Sequence, residues 1–139
     1  MVMAMWSSDR TYVAVHSTDA PTDAEWNHWI ALLTERAGRD RRILVETRSG
    51  PTATQRKALA SATKDQDLRF AVLTDSVVVR GIITALAWLG VQHRAFAMDQ
   101  HRQAAAYLEL TSVEFDRVLA ELPRLRREAG MEQPRRSTG

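Results

Sequence analysis

The chain has 139 residues, 45% of them hydrophobic and 26% charged, which suits one globular domain with a real core. Lys+Arg number 19 against Asp+Glu 17, a net charge of +2, too small an excess to call for a nucleic-acid partner. The absence of cysteine excludes a disulfide, a thiolate metal site and a Cys nucleophile.

No apolar run approaches the length of a membrane span, and MVMAMWSSDR lacks the charge and apolar core of a secretory signal. The expected location is the cytoplasm, with no integral membrane segment. Thr11–His16 alternates and reads as a strand paired antiparallel with Met3–Trp6 through a turn at Ser7–Arg10. Thr22 followed by Glu25 is a capping box. It opens a helix running to about Ala37, with Trp26, Trp29, Ile30 and Leu33 on one face and Gly38 placed to end it.

Ile43–Val45 is a short buried strand, followed by the loop Ser49-Gly50-Pro51-Thr52. The helix expected from about Thr52 to Lys64 has small apolar residues, Ala53, Ala58, Ala60 and Ala62, with Leu59 the only large one. Such a helix buries little area and leaves a face open to a partner. Asp65–Asp67 is a solvated turn rather than an acid–base pair.

Phe70–Leu73 does not alternate, which suits a strand covered on both faces. Asp75 or Ser76 caps the helix that follows. Val78, Val79, Ile82, Ile83, Leu86 and Leu89 form one broad apolar face of that helix. Val77, Gly81, Ala85 and Trp88 form a second strip, leaving only Arg80 and Thr84 clearly polar. A helix apolar around most of its girth is buried on more than one side. The second strip therefore calls for a second body: another helix, a subunit or an apolar, lipid-like ligand. Burial of Trp88 under the chain's last helix is the favoured choice.

Gly90 ends that helix, and Arg94–Met98 reads as another strand. Asp99 is expected to cap a helix through Ala104, Ala105, Tyr107 and Leu108. Thr111 and Glu114 form another capping box, opening a helix with Phe115, Val118, Leu119, Leu122 and Leu125 on one face. Pro123 is expected to kink or limit it. The organisation is one α/β domain over residues 1–128, with a core at about 6–110, an added helix at about 112–128 and a flexible tail at 129–139.

The strand and turn RFAVLTDS, the helix with Arg80 near its start and ALAWLG at its end, and RAFAMDQHRQAAAYLEL recur in this order in a known family. Over roughly Trp6–Leu110 the chain resembles the STAS domain, and more closely its SpoIIAA-like branch, the fold of bacterial anti-sigma-factor antagonists. The resemblance implies a mostly parallel sheet of four to five strands packed by helices. It also implies a non-enzymatic regulatory module that binds a protein partner and uses no cofactor. The family's phosphorylated loop falls on Thr47–Pro51, which makes Ser49 the candidate phosphoacceptor and Ser76 a weaker one. Ser49-Gly50 matches, while Arg48 and Pro51 stand where the family has an acid and a leucine. The partner surface is then expected at Gly50, Pro51, Thr52, Ala53, Arg56, Lys57 and Ala60. A homo-oligomer joined by the last helix, and a lipid-like ligand on the Val77–Trp88 strip, stay open. The four histidines, His16, His28, His93 and His101, have no metal-ligand spacing, so no metal is expected.

Overall fold

The computed structural model describes residues 3–35, 40–64 and 66–130. The expected positions Ala37, Gly38 and Asp65, and the tail from 131 onward, lie outside the described residues. Five strands, β1 (Met3–Ser8), β2 (Thr11–His16), β3 (Arg41–Glu46), β4 (Leu68–Leu73) and β5 (Gln92–Phe96), form one sheet in the order β1-β2-β3-β4-β5. β1 and β2 pair antiparallel, and the other neighbours pair parallel. The chain is thus α/β with a mostly parallel sheet.

Three crossover helices, α1 (Asp23–Thr34), α2 (Ala53–Thr63) and α3 (Val77–Trp88), connect β2 through β5. Each crossover advances one place in the same direction. Right-handed connections therefore put all three helices on one face of the sheet. Their core joins Trp26, Trp29, Leu33, Leu59, Val79, Ile83 and Leu86 to Tyr12, Ile43, Phe70 and other residues of that face. The opposite face is covered by α4 (His101–Tyr107) and α5 (Ser112–Glu128). There Ala104, Leu108, Val118, Leu122 and Leu125 meet Val13, Val15, Leu44, Ala71 and Leu73.

The expected caps at Thr22, Ser76 and Thr111 all form, with Thr22 and Thr111 in full capping boxes. A further box, Thr52 with Gln55, opens α2 and places Pro51 just before the cap. Its Ser/Thr-x-x-Gln spacing was legible by the same rule as the others. Gly90, at φ +89°, closes α3 in a Schellman motif, with the Gly90 and Val91 N–H groups donating to the Ala87 and Leu86 carbonyls.

Other local expectations are corrected. β5 lies two residues earlier than Arg94–Met98. Gln100, not Asp99, is the N-cap of α4, and its Oε1 accepts from the Ala97 N–H. Pro123 does not limit α5, which continues to Glu128. The largest correction concerns α3. The added helix α5 lies across the other face of the sheet, against β1 and β2, and cannot reach α3's second strip. Val77 is 82% exposed and Trp88 85%, and Val78 and Leu89, expected on the buried face, are exposed too.

Candidate functional site

Parallel strands end together at one edge of the sheet, where loops leave for the helices. Ligand sites in open α/β sheets collect at this carboxyl edge. Here it carries His16, Glu46, Thr47 and Thr74, followed by the Ser17–Asp19 and Ser49–Pro51 loops.

Side-chain alternation divides these residues between the two faces. Glu46 points to the α4–α5 side. It is buried and accepts two bonds from Arg126, at 2.9 and 2.6 Å, with the His101 Nε2 2.6 Å away. Burial alone pushes the Glu46 carboxyl up, but the hydrogen bonds from His101 and Arg126 outweigh it and hold the group down to about 2. The cluster ties β3 to both covering helices. Chain separations of 55 and 80 residues left no local signal for it.

His16, Thr47 and Ser49 face the α1–α3 side. They line a partly open pocket of about 50 Å³ together with Trp26, Trp29, Leu59, Phe70, Val79, Ile83 and His93. Thr47 Oγ1 donates to the Ser49 carbonyl and accepts from the Ser49 N–H at 3.2 Å. Ser49 Oγ lies 2.9 Å from the Ser17 carbonyl and 2.6 Å from the Asp19 carbonyl, so it fastens the β2–α1 loop. A phosphoryl group on Ser49 would have to break that fastening. Ser76 Oγ accepts from the Val79 N–H at 3.3 Å and serves as the α3 cap.

The residues expected to meet a partner separate in the same way. Thr52, Ala53 and Lys57 are exposed. Arg56 is half-buried and donates to the Pro51 carbonyl at 3.2 Å. Ala60 is partly buried, packed against the α1–α3 core. Gly50 sits against α3, where an added Cβ would come within 2.4 Å of the Ile82 Cδ1. The Ser49 loop is therefore the edge of a surface that continues onto α3.

On α3, Val77, Gly81 and Trp88 are exposed and Ala85 half-exposed. The strip spans about 16 Å at 1.5 Å per residue. The stretches 47–64 and 76–98, which include α2 and α3, contain Arg48, Arg56, Lys57, Lys64, Arg80 and Arg94 and no Asp or Glu. Arg80 is the one charged residue within α3, Asp75 stands just before its cap, and Arg94 turns to the opposite face of the sheet over Phe96 and Tyr107. Among the described residues no three His, Asp or Glu gather as a metal site, and no helix is long and apolar enough to cross a membrane. Set against family models, curated proteins and solved structures, the chain matches none of them.

Proposed function

We propose that the chain is a non-enzymatic interaction module that docks a protein partner on the outer face of α3, extended by the Ser49 loop and the exposed residues Ala53 and Lys57 of α2. The observation that carries this reading is the exposure of Val77, Gly81 and Trp88 on one strip of α3. Contiguous exposed apolar surface on a folded domain marks interaction sites, and Trp is the residue most enriched where binding energy concentrates. Arg80 on α3 and the exposed Lys57 on α2 favour a partner with an apolar groove and acidic residues beside it. The resemblance to STAS and SpoIIAA-like proteins supports the same class of function. Ser49 phosphorylation belongs to this reading as its regulatory arm.

The test compares wild type with Trp88→Ala and Arg80→Glu. A partner identified with immobilised wild type is purified, and its affinity is measured by calorimetry. Trp88→Ala is expected to weaken binding by about 30-fold, the scale of a central aromatic anchor. Arg80→Glu is expected to slow association and reduce its salt dependence. Unchanged affinity of both variants overturns the assignment. So does a strip that engages only anionic vesicles or a second copy of the chain.

A further inference from the structure

The cavity under α3 contains a polar group with nothing to bond. His16 ends β2 on the α1–α3 face and is 4% exposed, and neither its Nδ1 nor its Nε2 has a hydrogen-bond partner. Its ring meets Trp26 edge-on at 6.2 Å. A second imidazole, His93, stacks on Phe70 at 4.1 Å across the same cavity, and its Nδ1 is also unbonded. Leaving a buried polar group unbonded forfeits its solvation without return, so native structures rarely tolerate one without a purpose. Of the other polar side chains of the wall, the Thr47 hydroxyl is committed to the Ser49 backbone, the Ser49 hydroxyl to the Ser17 and Asp19 carbonyls, and the Trp26 indole N–H to the Gln55 carbonyl. The unmet capacity therefore belongs to the imidazoles.

We infer that this cavity binds a small neutral molecule with an apolar body and a hydroxyl group, the hydroxyl bonding to His16. A neutral imidazole has one nitrogen that donates and one that accepts, and a hydroxyl is the small group that can answer either. No Lys, Arg, Asp or Glu lines the cavity, and Glu25 lies near enough to His16 to disfavour an anion. The remaining wall is aromatic and aliphatic: Trp26, Trp29, Phe70, Val79, Ile83 and Leu86. As closed, the space is about a third of a cavity that takes benzene. Part of its wall is thin, since Ser49, Pro51, Ile82 and His93 are only half-buried. The body of a short-chain alcohol extends on that side.

The inference is independent of docking on the outer strip, because it concerns the inner face of α3. The probe is 1-butanol, titrated into the full chain while the His16 ring resonances and the Trp fluorescence are followed. Saturable shifts at His16 and quenching or enhancement from Trp26 and Trp29 are expected. His16→Leu is expected to weaken binding about fivefold, the worth of one net hydrogen bond. His16→Gln, which keeps a donor and an acceptor, is expected to retain most of it. The inference fails if butanol leaves the His16 ring unmoved, or if His16→Leu binds as tightly as wild type. It also fails if the ring shows exchange with long-lived water that butanol does not displace. The wild-type ring measurement decides the matter even if His16→Leu does not fold.

Discussion

His16 shows how one residue reads differently in sequence and in space. In the chain it is the last member of an alternating strand, and its type says nothing about burial. In the fold it is enclosed, and burial pushes its imidazole down to about 4, against a smaller opposing pull from Glu25. His93 is likewise lowered by burial, to about 3, partly offset by the Val91 carbonyl. The unfolded chain takes up these protons near the ordinary value of about 6.5, before the folded chain does. Stability is therefore level above pH 6.5 and falls as the pH drops from there toward the folded values. For His16 the loss is on the order of 3 kcal/mol by pH 4. His93, half-buried on the edge strand β5, contributes less. Glu46 and Glu114 act in a lower window. Arg10 donates to Glu114 and, against the cost of burial, holds it to about 2, as His101 and Arg126 hold Glu46. Their stabilisation is present above about 4.5 and is lost between there and 2. Urea midpoints measured from pH 7 to 4 are expected to decline in wild type and to decline less steeply in His16→Phe, where His93 alone still takes up its proton late. A wild-type midpoint that holds constant from pH 7 to 5 would contradict the burial of a neutral His16.

At the scale of elements, α5 separates what was legible in the sequence from what was not. Its start was legible because a capping box is a local pattern, Thr111 and Glu114, and the bonds form within four residues. Its apolar stripe was legible in part: Val118, Leu122 and Leu125 are buried as expected, while Phe115 is half-buried and Leu119, expected on the same face, is exposed. Which surface the stripe covers was not legible. Periodicity reports that a face is buried, not what buries it, so α3's second strip looked like the natural partner. The chain instead brings α5 to β1 and β2 and leaves Trp88 in solvent. Long-range charge fixes this placement. Arg10 donates to Glu114 through Nε and Nη2, both at 2.9 Å, and to Asp40 at 3.1 Å, while Arg126 holds Glu46 at the other end. The candidate cavity was illegible for the same reason, since it joins residues from β2, β3, β4, β5 and three helices. A helix that covers half of one sheet face is part of the core, not an appendage. Leu122→Ala is expected to cost about 3 kcal/mol in a denaturant melt. A chain stopped at Leu110 is expected to aggregate or unfold, because Val13 and Val15 lose their cover. A folded, monomeric truncation by light scattering and circular dichroism would show that α5 is only a joint for assembly.

Across the whole molecule the two faces of the sheet are closed unequally. The α4–α5 face has an apolar centre, and ion clusters pin it at both edges of the sheet. The α1–α3 face encloses a cavity, and its third helix keeps only Val79, Ile83 and Leu86 buried. α3 has no acidic residue in its first turn and no basic residue in its last, so nothing on it complements the helix dipole. Its outer strip is apolar surface left in water, which gives no stabilisation until a partner covers it. Resistance to local opening follows buried contact and cross-element bonding, so α3 should open at a lower free energy than α5. Native-state hydrogen exchange measures this directly. The amides of Ile83–Leu86 are expected to exchange through an opening well below global unfolding, while those of Val118–Leu122 exchange only with the whole molecule. Partner binding on the outer strip should raise α3's protection, and so should 1-butanol in the cavity beneath it, because both bind the closed helix. Equal protection of α3 and α5 in the free chain would mean that the cavity does not loosen α3. The helix would then be a rigid docking surface rather than a movable one.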